Sequence, residues 1–121
     1  MNKYGTILIV DDNASILTAM HYLLDDTFEH VLTLERPDDI LKTMAQETVD
    51  LVLLDMNFTL GVNNGNEGLF WLRAIHKQHP QTPVVLLTAY ADVNLAVKGL
   101  KNGAADFITK PWDNDELVPK L

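Results

Sequence analysis

The sequence predicts an α/β domain built as (βα)5, a five-stranded parallel sheet covered by helices on both faces. Two observations carry this. Short, continuously apolar runs recur along the chain, as strands buried on both faces require. Stretches with apolar residues at helical spacing separate them, as parallel connections require.

Thr6–Val10 reads as the first buried strand. Asn13-Ala14-Ser15 then opens a helix with Ile16, Leu17, Met20, Leu23 and Leu24 at helical spacing. His30–Leu34 is a short second strand. Pro37 precedes Asp38 and Asp39, an acidic turn suited to the positive end of a helix. Ile40, Leu41, Met44 and Ala45 make that helix's inner face. Leu51–Leu54 is the third strand, and a polar loop follows through Gly61, Asn63, Asn64, Gly65 and Asn66. Glu67–His79 is helical, with Leu69, Leu72 and Ile75 inside, and Pro80 stops it. Pro83–Leu87 is the fourth strand. Ala91–Asn102 is a helix with Val93, Ala96, Val97 and Leu100 on one face, closed by Gly103. Asp106–Ile108 is the fifth strand. Asp113 caps a last helix with only Leu117, Val118 and Leu121 to bury. So short a helix covers its side of the sheet poorly, so the single domain 1–121 reads as the N-terminal fragment of a longer chain. The expected strand order is 2-1-3-4-5, flavodoxin-like. Right-handed crossovers then bring all strand C-termini to one edge, where ligands bind.

The totals narrow the function. A chain of 121 residues is long enough for one core without staples. There is no cysteine, hence no disulfide framework and no thiolate chemistry. No apolar run approaches the roughly 18 residues of a membrane span. The start, Met1-Asn2-Lys3-Tyr4, lacks a signal-peptide pattern, so a cytoplasmic protein is expected. A net charge of −8 argues against direct nucleic-acid binding by this domain.

The strand ends carry the chemistry. Asp11 and Asp12 end the first run, and Asp55 follows the third. Thr88 follows the fourth and Lys110 the fifth. Carboxylates gathered on one edge repel unless a cation sits among them. Mg²⁺ wants oxygen ligands. Asp11 or Asp12, Asp55 and a backbone carbonyl just beyond Asp55, assigned to Asn57, would supply them. A carboxylate beside such a metal can attack phosphorus. Lys110 and Thr88 would contact the transferred oxygens. Each residue alone has a plainer reading: a solvated turn before a helix, a turn after a strand, a surface loop. Their joint placement at strand ends favours the site.

With those residues in view, the chain resembles the receiver domain of bacterial two-component response regulators, over residues 5–121. Leu8-Ile9-Val10-Asp11-Asp12 resembles the family's acidic pair, and Asp55 its phosphoacceptor. Leu86-Leu87-Thr88-Ala89 resembles the segment of its switch threonine. Gly103-Ala104-Ala105-Asp106-Phe107-Ile108-Thr109-Lys110-Pro111 resembles the segment with its switch aromatic, here Phe107, and its lysine. The resemblance implies Mg²⁺ as cofactor and a cis Lys110–Pro111 bond. It also implies a sensor histidine kinase as phosphoryl donor to Asp55. Thr88 would move inward and Phe107 follow, changing the face of helix 4, strand 5 and helix 5. That would control an attached output domain, with homodimer formation on phosphorylation. Lys98, Lys101, Asp106, Asp113 and Asp115 give the face mixed charge. Phe107 to Trp112 and the Asp-rich start of the last helix resemble receivers of σ54-dependent transcriptional activators, with ATPase and DNA-binding output. No catalysis beyond the domain's own phosphorylation and dephosphorylation is implied.

One segment departs from the family. Met56 to Gly68 is longer by about five residues than the usual loop and lacks its proline. Phe58, Leu60 and Val62 are apolar in this stretch, and at least one is expected to fold over the site's rim. Asn57 and Tyr90, two positions beyond Asp55 and Thr88, would guide or block water.

Rivals are weaker. Asp55-Met56-Asn57-Phe58-Thr59 resembles the box of haloacid-dehalogenase-like phosphatases. There the second position should be an acid, and Asn57 cannot donate a carboxyl proton. That family's acidic metal pair also follows its nucleophile, whereas Asp11-Asp12 precede Asp55. A flavodoxin-type phosphate loop would not carry Asp11-Asp12, and no P-loop motif occurs. A pseudo-receiver that only binds a partner usually lacks a key residue, and all are present here. His21, His30, His76 and His79 make no metal set. Phe70 and Trp71 read as core and rim, and Trp112 as partly exposed.

Overall fold

The structure is a computed structural model that describes residues 4–56, 66–89 and 93–110. Five parallel strands run in the order 2-1-3-4-5. They are β1 (Tyr4–Val10), β2 (Phe28–Leu34), β3 (Leu51–Asp55), β4 (Val84–Ala89) and β5 (Asp106–Lys110). The helices between them are α1 (Ala14–Leu24), α2 (Ile40–Gln46), α3 (Asn66–Gln78) and α4 (Val93–Lys101). The last helix expected from the sequence lies outside the described residues, as do the loop after Met56 and the Lys110–Pro111 bond.

β3 is central, and all five of its residues are buried. Alternation along the strands divides the core in two. On one face Leu8, Val10, Val52, Leu54 and Leu86 meet Ile40 and Met44 of α2 and Leu69, Leu72 and Ile75 of α3. On the other, Ile7, Ile9, Leu53, Val85, Leu87 and Ile108 meet Leu17, Met20 and Leu24 of α1. Asn13 starts α1: its side chain accepts from the backbone N–H groups of Ser15 and Ile16, the second of which it shares with the Asn13 carbonyl. Pro37–Asp39 forms a 3₁₀ turn, and the α-helix begins only at Ile40. The acidic pair therefore precedes the α-helix.

Two helix faces differ from the expected ones. Ala45 is exposed, because Ile40 and Met44 meet the sheet one turn apart and leave the next position facing outward. On α4, Ala96 and Gly99 are buried, whereas Val97 and Leu100 are 42% and 39% exposed. The small residues explain the rotation. A side chain at Gly99 would run into Leu86 of β4, so the helix lies on the strand where it has least bulk. Gly103, at φ +107°, ends α4. Its N–H donates to the Leu100 carbonyl and that of Ala104 to the Gly99 carbonyl, the paired bonds of a Schellman stop. Phe70 is 59% exposed and is not core. It meets the partly buried Trp71 edge-on, with ring centroids 4.9 Å apart.

Candidate metal and phosphoryl site

Register builds the site. β1 pairs with β3 from Ile7 opposite Leu51 to Val10 opposite Leu54. Carried one residue further, this sets Asp11 beside Asp55. Both aspartates hold the same parity in their strands, so their side chains leave the sheet on the same side. The backbone is fixed at both points. The Asp11 N–H donates to the Leu34 carbonyl of β2 at 3.1 Å, and the Met56 N–H to the Leu87 carbonyl of β4 at 2.9 Å.

Asp11 and Asp55 are fully buried, and Asp12 is half-buried beside them. One carboxylate oxygen from each of the three lies within 4.8 Å of the others. Asp11 Oδ1 accepts the Asn13 N–H at 2.9 Å. Its Oδ2, like Oδ2 of Asp55, is shut off from solvent. Charges this close are costly together. At an effective dielectric of about 20, two full charges about 5 Å apart repel by roughly 3 kcal/mol. A divalent cation removes that repulsion, and an all-oxygen donor set suits Mg²⁺. The residues therefore fit such an ion.

Thr88 is also fully buried, near the C-terminal end of β4, with Leu87 in register with Asp55. Lys110 ends β5, its backbone in register with Ala89. Phe107 pairs with Leu86 and packs, partly buried, on the core beneath α2 and α3. Asp11, Asp12 and Asp55 are thus brought together, and Thr88 and Lys110 lie at the C-terminal ends of β4 and β5, on the same edge of the sheet. Asn57, Tyr90, Phe58, Leu60, Val62 and Trp112 lie outside the described residues. Sequence reasoning passes over Met56. It is 1% exposed, and its signal is only one more apolar residue after an apolar strand.

Comparisons with known proteins agree with this fold. The family model of the response regulator receiver domain matches residues 7–121. The DNA-binding transcriptional regulator NtrC of Salmonella typhimurium is 33% identical over 114 residues, 94% of this chain and 23% of that protein. The response regulator protein PilR of Pseudomonas aeruginosa is 36% identical over 110 residues, 91% of this chain and 24% of that one. The chain thus spans about a quarter of the length of these curated relatives. Among solved structures, the N-terminal signal receiver domain of a two-component response regulator from Bacteroides fragilis superposes with a TM-score of 0.89 at 51% identity. That match covers 98% of this chain and 94% of the other. The receiver domain of NtrX from Brucella abortus gives 0.83 at 32% identity, covering 93% and 92%.

Proposed function

The chain belongs to the family of response regulator receiver domains, and from that premise we propose that Asp55 accepts a phosphoryl group from a sensor histidine kinase. A buried carboxylate at the end of the central strand, beside two more aspartates, supports this reading above all. In the transfer, an Asp55 oxygen forms a bond to phosphorus. The bond from phosphorus to the donor imidazole nitrogen breaks, and the nitrogen keeps the electron pair. Asp11, Asp12, Asp55 and the Asn57 carbonyl would hold Mg²⁺. When bound, the ion neutralises charge on the carboxylates and on the phosphoryl oxygens. The Thr88 hydroxyl donates to a phosphoryl oxygen, and Lys110 places a positive charge beside another. Turnover is limited to the domain's own phosphorylation and dephosphorylation.

Output comes from a shift between two packings of one fold. Thr88 draws toward the phosphoryl group, and Phe107 turns into the space it leaves. The altered face of α4 and β5 then acts on an attached output domain. The likeness to NtrC, a DNA-binding transcriptional regulator, favours transcriptional control by that domain. No helix among the described residues is long and apolar enough to cross a membrane.

Acetyl phosphate with Mg²⁺ should add one phosphoryl group, read by intact mass. Asp55→Asn should take up none. Equal uptake by that variant would overturn the assignment, and turnover of a phosphate ester would favour the phosphatase reading.

A further inference from the structure

We propose that Gly68 is a positioning residue for Asp55: having no side chain, it lets the first turn of α3 rest on Met56 and hold the residue after Asp55 in place. This inference rests on the reading of Asp55 given above. Gly68 is buried in α3, where glycine is intrinsically unfavourable. Its backbone stays out of the left-handed region, so no turn geometry demands glycine there. Space demands it. A Cβ at position 68 would stand 2.8 Å from Met56 Sδ, 3.0 Å from Met56 Cα and 3.2 Å from Met56 Cε. Met56 is buried, so its sulfur and methyl have little room to give way and press back on the chain, and the Cα can move only with the chain.

That chain is the end of β3. Met56 is 1% exposed, held on one side by its N–H bond to the Leu87 carbonyl and on the other by α3. Asp55 is the next residue back. Pushing Met56 Cα away from α3 therefore displaces the Asp55 backbone and the carbonyls beyond it. The core beneath α3, at Leu69, Leu72 and Ile75, resists moving the helix instead. Gly68 touches no reacting atom. It sets where Asp55 stands by limiting the thickness of the contact beside it.

The test measures Mg²⁺ affinity by calorimetry and stability by urea midpoint, in the full chain. Gly68→Ala should weaken Mg²⁺ binding by roughly tenfold, the smaller of the losses typical when groups supporting metal ligands are disturbed. Ile75→Val loosens the same helix two turns away by removing one methyl. It should lower the midpoint yet keep Mg²⁺ affinity within about twofold of the parent. Met56→Ala combined with Gly68→Ala removes the sulfur and methyl contacts and should regain part of the lost affinity. If Gly68→Ala alone does not fold, the double variant should fold and bind Mg²⁺. Parent-like affinity in Gly68→Ala would overturn the positioning role and leave Asp55's assignment standing. So would a double variant no better than Gly68→Ala. A parent that binds no Mg²⁺ would instead sink the reading of the site and this inference with it.

Discussion

Thr88 and Phe107 lie on the same face of the sheet, on neighbouring strands, two residues out of register. Thr88 pairs with Thr109 and Phe107 with Leu86, and alternation turns Thr88 and Phe107 the same way. Thr88 is fully buried and Phe107 only partly so. On the proposed reading, a small inward movement of the first would free room for the second.

Thr88→Ala should therefore accept phosphate at Asp55 but transmit it poorly. Alanine lacks the hydroxyl proposed to follow the phosphoryl group, and the γ-methyl with it, while the backbone pairing of β4 is unchanged. Beryllofluoride added to the parent should shift amide resonances along β5 and α4. In Thr88→Ala the shifts should stay near β1 and β3. Full propagation in the variant would rule out this coupling.

Asp12 separates metal affinity from stability. It is the least buried of the three acids, so Asp12→Asn should leave the fold intact. Without metal it relieves like-charge repulsion and should raise stability, by up to about 1 kcal/mol after screening at a half-exposed site. With Mg²⁺ the order should reverse, because fewer charges neutralise the ion. Urea midpoints of both proteins with and without Mg²⁺ give all four values. A parent midpoint indifferent to Mg²⁺ would count against the site.

The strands are legible because a doubly covered parallel sheet needs unbroken apolar runs, and Leu51–Leu54 could be little else. Placing Asp11 and Asp55 on one edge needs only the order of elements. Placing them side by side needs, beyond the expected neighbouring of β1 and β3, their register, which apolar content does not encode. The rotation of α4 escapes the sequence for a related reason. Periodicity weights Val97 and Leu100 over Ala96 and Gly99, but close approach to Leu86 selects for lack of bulk. The 3₁₀ start at Pro37 is hidden similarly, since acidic residues favour a helix start without fixing its hydrogen-bond spacing.

That same rotation leaves Val97 and Leu100 partly exposed beside Lys98 and Lys101 on α4. Apolar surface rimmed by charge favours salt-sensitive association. Phosphorylated protein should self-associate more strongly than unphosphorylated protein, and Leu100→Glu should reduce this. Light scattering at low and high salt provides the check. A mass that does not respond to phosphorylation would refute the interface.

Asn13 offers a way to weaken the fold without weakening the site. Its side chain caps α1 through Ser15 and Ile16, whereas its backbone N–H serves Asp11 Oδ1. Asn13→Ala deletes the first function and keeps the second. The helix should lose about 1 kcal/mol, the usual cost of removing such a cap. The urea midpoint should fall accordingly, with an unchanged slope, since the surface exposed on unfolding is the same. The increase in midpoint caused by Mg²⁺ should match the parent's, because Asp11 keeps its backbone donor. Asn13→Asp should restore the cap and add a favourable negative charge at the helix start. Its metal-free midpoint should return toward the parent's. A diminished Mg²⁺ response in Asn13→Ala would mean that the cap also orients Asp11, and that α1 and the acidic site cannot be separated in this way.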